Sequence, residues 1–133
     1  MSLIRNHMEL SLTKAEEKVM KILWSIEKGL IRDVVKEYDE PRPAYTTVAT
    51  IFKILEKKGF VGRNAVANTY EYYPLIAQEE YTKKYVKSFV NRYFSSSFKS
   101  MVSAFSSNEE LTTEEMEELI THFKSQIENK KKK

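Results

Sequence analysis

Between Gly59 and Pro74 the spacing of apolar residues changes from a helical period to a strand period, and this change most limits what the chain can fold into. Phe60-Val61-Gly62-Arg63-Asn64-Ala65-Val66 and Thr69-Tyr70-Glu71-Tyr72-Tyr73 are β-prone runs. They join around Ala67-Asn68, and Asn tolerates a left-handed turn conformation, so a two-stranded hairpin is predicted. Tyr70 and Tyr72 fall on one strand face, where core or hinge packing is expected of them, and Pro74 closes the hairpin.

Three helices are predicted ahead of it. Thr13-Lys14-Ala15-Glu16 has capping-box spacing, and Ala15, Val19, Ile22, Leu23 and Ile26 recur at three and four to give one buried face that Gly29 ends. Ile31, Val34, Val35 and Tyr38 mark a shorter second helix, which stops before Asp39-Glu40-Pro41-Arg42-Pro43 because two prolines forbid its continuation. The third runs from Tyr45 to Lys58, with Val48, Ile51, Phe52 and Leu55 inward and Gly59 as its stop.

The other face of the third helix carries Thr46, Thr47, Ala49, Thr50 and Lys53. A face that meets only solvent would read Glu, Lys, Gln and Arg, which are better helix formers than Thr. A slim, hydroxyl-rich helix about 21 Å long suits the DNA major groove, where Thr bonds phosphates or base edges and its methyl touches thymine. Charge agrees. From Pro41 to Arg63 the bases are Arg42, Lys53, Lys57, Lys58 and Arg63 against the single acid Glu56, whereas Asn108 to Glu118 holds six glutamates and no base. Three helices followed by a hairpin is the order of a winged helix-turn-helix, in which the third helix enters the groove and the hairpin lies along the backbone. Residues 8–74 are therefore read as a winged-helix DNA-binding domain, with Arg42, Tyr45, Thr46, Thr47, Thr50, Lys53 and Arg63 as its candidate contacts.

Residues 75–133 read as a helical dimerisation domain. Tyr81, Tyr85, Val86, Phe89, Val90, Tyr93 and Phe94 make a wide stripe on a long helix from Gln78 to Phe94, which Ser95-Ser96-Ser97 interrupts. Phe98, Met101, Val102 and Phe105 begin a short amphipathic helix that ends at Ser106-Ser107-Asn108. Thr112 with Glu115 forms a capping box, Leu111 is placed to staple on Met116, and Met116, Leu119, Ile120, Phe123 and Ile127 line the last helix. Five of the seven phenylalanines lie in this half, more apolar surface than a thin stalk hides within itself, and a second copy would cover it. Tyr85, Phe89, Tyr93, Phe98, Met101, Phe105, Leu119 and Phe123 are the candidate dimer contacts. The fold class is mainly α with a small β-hairpin.

Several chemistries are excluded. No cysteine is present, so disulfides, thiolate metal sites and cysteine nucleophiles are ruled out. His7 and His122 lie in no metal-ligand spacing, and no nucleophile elbow, Walker loop or dinucleotide fingerprint occurs. The paired glutamates serve as helix-start acids and a solvated face. No enzyme activity, cofactor or metal is expected. No stretch has the length to span a bilayer and no apolar signal core is present, which predicts a cytoplasmic protein without membrane insertion.

Leu12-Thr13-Lys14-Ala15-Glu16 with Met20-Lys21-Ile22-Leu23-Trp24, Ala44-Tyr45-Thr46-Thr47-Val48 with Thr50, and Glu56-Lys57-Lys58-Gly59-Phe60-Val61 together resemble the BlaI/MecI penicillinase-repressor family. Tyr70-Glu71-Tyr72-Tyr73-Pro74-Leu75 and Asn108-Glu109-Glu110-Leu111 look like it too. The resemblance runs from about Leu10 to Ile127. It implies a dimeric winged-helix repressor of double-stranded inverted repeats, with Thr46, Thr47 and Thr50 where the family places base and phosphate contacts. Many relatives have Lys or Arg at the position of Ala49. The resemblance also implies a membrane sensor-protease partner and relief of repression by a cut in the dimerisation region, at the pair that is Ala104-Phe105 here and Asn-Phe in the antibiotic-responsive members. The cysteine-rich copper-responsive branch is excluded. Two other readings keep the same fold: a protein-interaction adaptor that does not read DNA, and a regulator induced by a small ligand among the aromatics.

Overall fold

The computed structural model describes residues 11–107 and 110–132. His7, the predicted domain start at Met8, the Asn108-Glu109 pair that opens the acidic run, and Lys133 lie outside them. The described elements run in the order α1 (Lys14–Ile26), α2 (Ile31–Lys36), α3 (Tyr45–Lys58), β1 (Val61–Val66), β2 (Thr69–Pro74), α4 (Gln78–Tyr93), α5 (Phe98–Ser106) and α6 (Thr113–Lys131). The chain is mainly helical with one antiparallel hairpin: an N-terminal winged helix and a C-terminal helical region. It divides into two compact units, one up to Val86 and one from Lys87.

The first unit is built around α1 and α3. Thr13 caps α1 through both halves of a capping box: its hydroxyl accepts from the Glu16 amide at 3.1 Å, and its own amide donates to the Glu16 carboxylate at 3.1 Å. Val19, Met20 and Leu23 of α1 meet Val34 of α2 and Val48, Phe52 and Leu55 of α3, all fully buried, with Phe60 beneath the hairpin. Spacings of three and four on α1 and α3 place those side chains on one face of each helix. Burying each contributes roughly 1.5 to 3 kcal/mol.

The strands pair from Val61 with Pro74 to Val66 with Thr69. Tyr72 is 5% exposed and its ring lies 4.4 Å from that of Phe52, which ties the hairpin to α3. On α4, Tyr81 reaches the same core, its ring centroid 5.7 Å from Trp24 and 5.8 Å from Phe60, while the Trp24 indole donates to the Ile76 carbonyl at 2.8 Å.

Four expectations are corrected. The stop of α1 is Glu27, at φ 75°, and not Gly29, which instead exchanges two backbone hydrogen bonds with Tyr72 at 2.8 and 3.0 Å. The second helix ends at Lys36, because Tyr38 follows an α2 only six residues long and packs on the core from outside it. The left-handed turn residue is Ala67, at φ 54°, where Asn68 had been the residue suited to it. Tyr70 and Tyr72 part company: Tyr70 is 43% exposed, because only the strand end nearer α3 reaches the core. Gly59 ends α3 as expected, in the left-handed conformation at φ 85°, which glycine adopts without a steric cost.

In the second unit, Val90 is fully buried, the Phe89 ring contacts Tyr93 at 5.0 Å and Phe94 at 5.8 Å, and Ser95 and Ser96 take left-handed φ values of 52° and 64° at the end of α4. Ser97 caps α5 by accepting from the Ser100 amide at 3.0 Å, and Thr112 with Glu115 forms the capping box of α6.

Candidate nucleic-acid interface

Helix α3 is buried along Val48, Phe52 and Leu55, which leaves Tyr45, Thr46, Thr47, Thr50 and Lys53 exposed on its other side. Ala49, expected among them, is drawn partly into the core. Ile54 and Lys57 extend the exposed strip by another turn. Thr50 donates its hydroxyl to the Thr46 carbonyl at 3.0 Å, so the side chain offers outward a methyl group and oxygen lone pairs. Ala44 caps the helix start without a side-chain acceptor, and the first turn holds no acid, so the positive end of the helix dipole is not offset there.

The five bases of the segment differ in their engagements. Lys58 bonds the buried Glu16 carboxylate at 2.6 Å and the Ser11 carbonyl at 3.0 Å, which makes it a tether between α3 and the entry to α1. Arg42 is held over the connection between α2 and α3, its Nε donating to the Tyr38 carbonyl at 3.1 Å and its terminal nitrogen 3.2 Å from Glu40. Arg63 of β1 pairs with Glu56 at 3.2 Å and stacks 4.0 Å from the centre of the Tyr70 ring. Hydrogen bonding with the Tyr72 side chain, and then the charge of Glu56, raise its pKa above the ordinary guanidinium value. Lys53 and Lys57 are exposed and have no ion-pair partner among the described residues. Lys57 belongs on this surface although it was absent from the candidate contacts; its place seven residues after Thr50, two helical turns on, was the available signal.

The remaining candidates lie on other elements. Tyr85 on α4, in the first unit, is exposed. In the second unit Phe89 and Met101 are half-buried, while Tyr93 at 65%, Phe98, Phe105, Leu119 and Phe123 at 56% are exposed. Ala104 and Phe105 sit in the last turn of α5. Along α6 the apolar residues Leu119, Ile120, Phe123 and Ile127 recur at helical spacing, and a separate face bearing Glu114, Glu117, Glu118, Thr121 and His122 lines a shallow cavity. Among the described residues no group of three or more His, Cys, Asp or Glu is placed to hold a metal ion, and no helix is long and apolar enough to cross a membrane.

The family model described as penicillinase repressor matches residues 12–125. The chain is 30% identical over 109 residues to the methicillin resistance regulatory protein MecI of Mammaliicoccus sciuri, an alignment covering 81% of this chain and 89% of that one. It is 30% identical over 112 residues to a penicillinase repressor of Staphylococcus aureus, covering 84% and 89%. A penicillinase repressor of Bacillus licheniformis is 30% identical over 109 residues, covering 81% and 85%.

Proposed function

The chain belongs to the penicillinase repressor family, and on that premise we propose that it is a dimeric transcriptional repressor that binds an inverted-repeat DNA operator. Its relatives carry the names of repressors and resistance regulators, not of enzymes. The observation that carries the reading is the face of α3: three threonines, and two lysines with no ion-pair partner among the described residues, stand exposed on a helix whose opposite side is the core. In this reading α3 lies in the major groove with Tyr45, Thr46, Thr47 and Thr50 near base edges and phosphates. Lys53 and Lys57 meet the phosphate backbone, and Arg42 and Arg63 meet it on either side.

Residues 75–133 supply dimerisation. Support comes from the run of exposed apolar side chains on α5 and α6, a surface that a second copy would cover and that would hold two reading helices on two half-sites. Proteolysis at Ala104-Phe105, governed by a membrane sensor-protease, would relieve repression by cutting α6 away from the rest. The protein acts where DNA is, in the cytoplasm.

The test is a salt titration of binding to an operator selected from random duplexes. With about four phosphates neutralised per protomer, log K falls against log salt with a slope of about −7 for the dimer. A slope shallower than about −2, with no preference over random duplex, overturns the repressor reading.

A further inference from the structure

Glu56 is the single acid between Pro41 and Arg63, and it stands in the last turn of α3. A carboxylate there is disfavoured twice, by the negative end of the helix dipole and, on the DNA-binding reading above, by the phosphates that the helix approaches. Stability does not explain it either, since its pair with Arg63 is more than a third exposed on both sides and such pairs add little to folding. What Glu56 does contact is specific. Its carboxylate lies 3.2 Å from Nε of Arg63, and that guanidinium rests 4.0 Å from the centre of the exposed Tyr70 ring. An aromatic floor, the Tyr72 side chain and one carboxylate thus hold a wing guanidinium at the surface, where a phosphodiester offers the same oxygen chemistry as the carboxylate that now occupies it.

We propose that Arg63 on its Tyr70 floor is a DNA-phosphate site of the wing, and that Glu56 occupies it in the free protein and gives it up to a phosphate in the complex. Glu56 then sets the strength of sequence-independent binding: each encounter with DNA must replace an internal anion before the wing contributes. The groove-facing threonines are untouched by the exchange, so base reading and backbone affinity are adjusted by different residues. The inference rests on the DNA-binding reading, which already brings Arg63 to the phosphate backbone, and adds to it the residue that competes with the phosphate.

Four full-length proteins test it: the parent, Glu56→Gln, Arg63→Gln and the double variant. Binding to a random duplex and to the selected operator is followed by fluorescence anisotropy across a salt series, with thermal melts confirming that all four are folded. Glu56→Gln is expected to tighten binding to random duplex about fivefold while leaving the salt slope nearly unchanged, because the Arg63–phosphate contact forms in both complexes. Arg63→Gln is expected to weaken it, and the double variant to bind as Arg63→Gln does, because the gain depends on a guanidinium being released. The same gain in the Arg63→Gln background would reduce Glu56 to a general repulsive charge and overturn the proposal. Weaker binding by Glu56→Gln would also overturn it, making Glu56 a positioning residue for Arg63. Failure of the parent itself to bind duplex in a salt-dependent way removes the DNA reading, and the proposal with it.

Discussion

The Tyr81 hydroxyl is buried with no hydrogen-bond partner among the described residues, in a side chain only 5% exposed. Desolvation, with the charges of Glu17, Tyr85 and Glu16 behind it, pushes its pKa up to about 12. The folded state therefore keeps the proton more tightly than the unfolded chain, whose tyrosine titrates near 10. Stability from this group is fully present below pH 10 and is lost as pH rises from there through 12, by up to about 1.4 kcal/mol per pH unit. Tyr81→Phe removes both the orphan hydroxyl and this loss. The variant should melt at or above the parent's temperature at neutral pH and show a shallower decline above pH 10, as read by thermal unfolding at matched pH values. A parent and variant that decline in parallel would show that the hydroxyl is not desolvated in the folded protein.

Among elements, α3 was the most legible in the sequence, since Pro43 and Gly59 punctuate it and its inward stripe keeps an unbroken helical spacing. The hairpin was legible too, because β-prone runs bracket a two-residue turn. What could not be read depended on partners distant in the chain. Gly29 looked like a helix stop because nothing local reveals that Tyr72 exchanges hydrogen bonds with it. Lys58 counted only as one more cation of the basic segment, and its tethering role was hidden because Glu16 lies 42 residues away. Helix α3 thus carries lysines of two kinds, and substitution separates them. Lys58→Ala leaves the buried Glu16 carboxylate without its cation and should cost about 2 kcal/mol in chemical denaturation. Lys53→Ala, at an exposed position, should leave stability within about 0.5 kcal/mol while weakening binding to all duplexes alike and flattening the salt slope. Equal stability losses in the two variants would contradict the tether.

At the scale of the whole molecule, the chain past Pro74 keeps its apolar residues largely on the outside of the described helices, with Phe98, Phe105, Leu119 and Phe123 all exposed. If those residues hold two copies together, a chain ending at Ala104 loses most of them and should sediment as a monomer. Its affinity for a palindromic operator should fall by about a hundredfold or more as the two half-sites come to be bound independently. A shortened chain that still sediments as a dimer and binds equally well would disprove both the dimerisation assignment and relief by proteolysis. The small hairpin bears on a different collective property. A lone pair of strands presents two rows of open backbone groups, each a template for strands from other molecules. The reciprocal bonds between Gly29 and Tyr72 occupy one position, Tyr72, of the outer row of β2, and β1 carries the charge of Arg63 near its start. The single-residue bridge therefore blocks the addition of a further strand at that position of the edge. A substitution that unseats Gly29 would show itself first in concentrated solution, as intermolecular β-pairing, before it showed in the melting temperature.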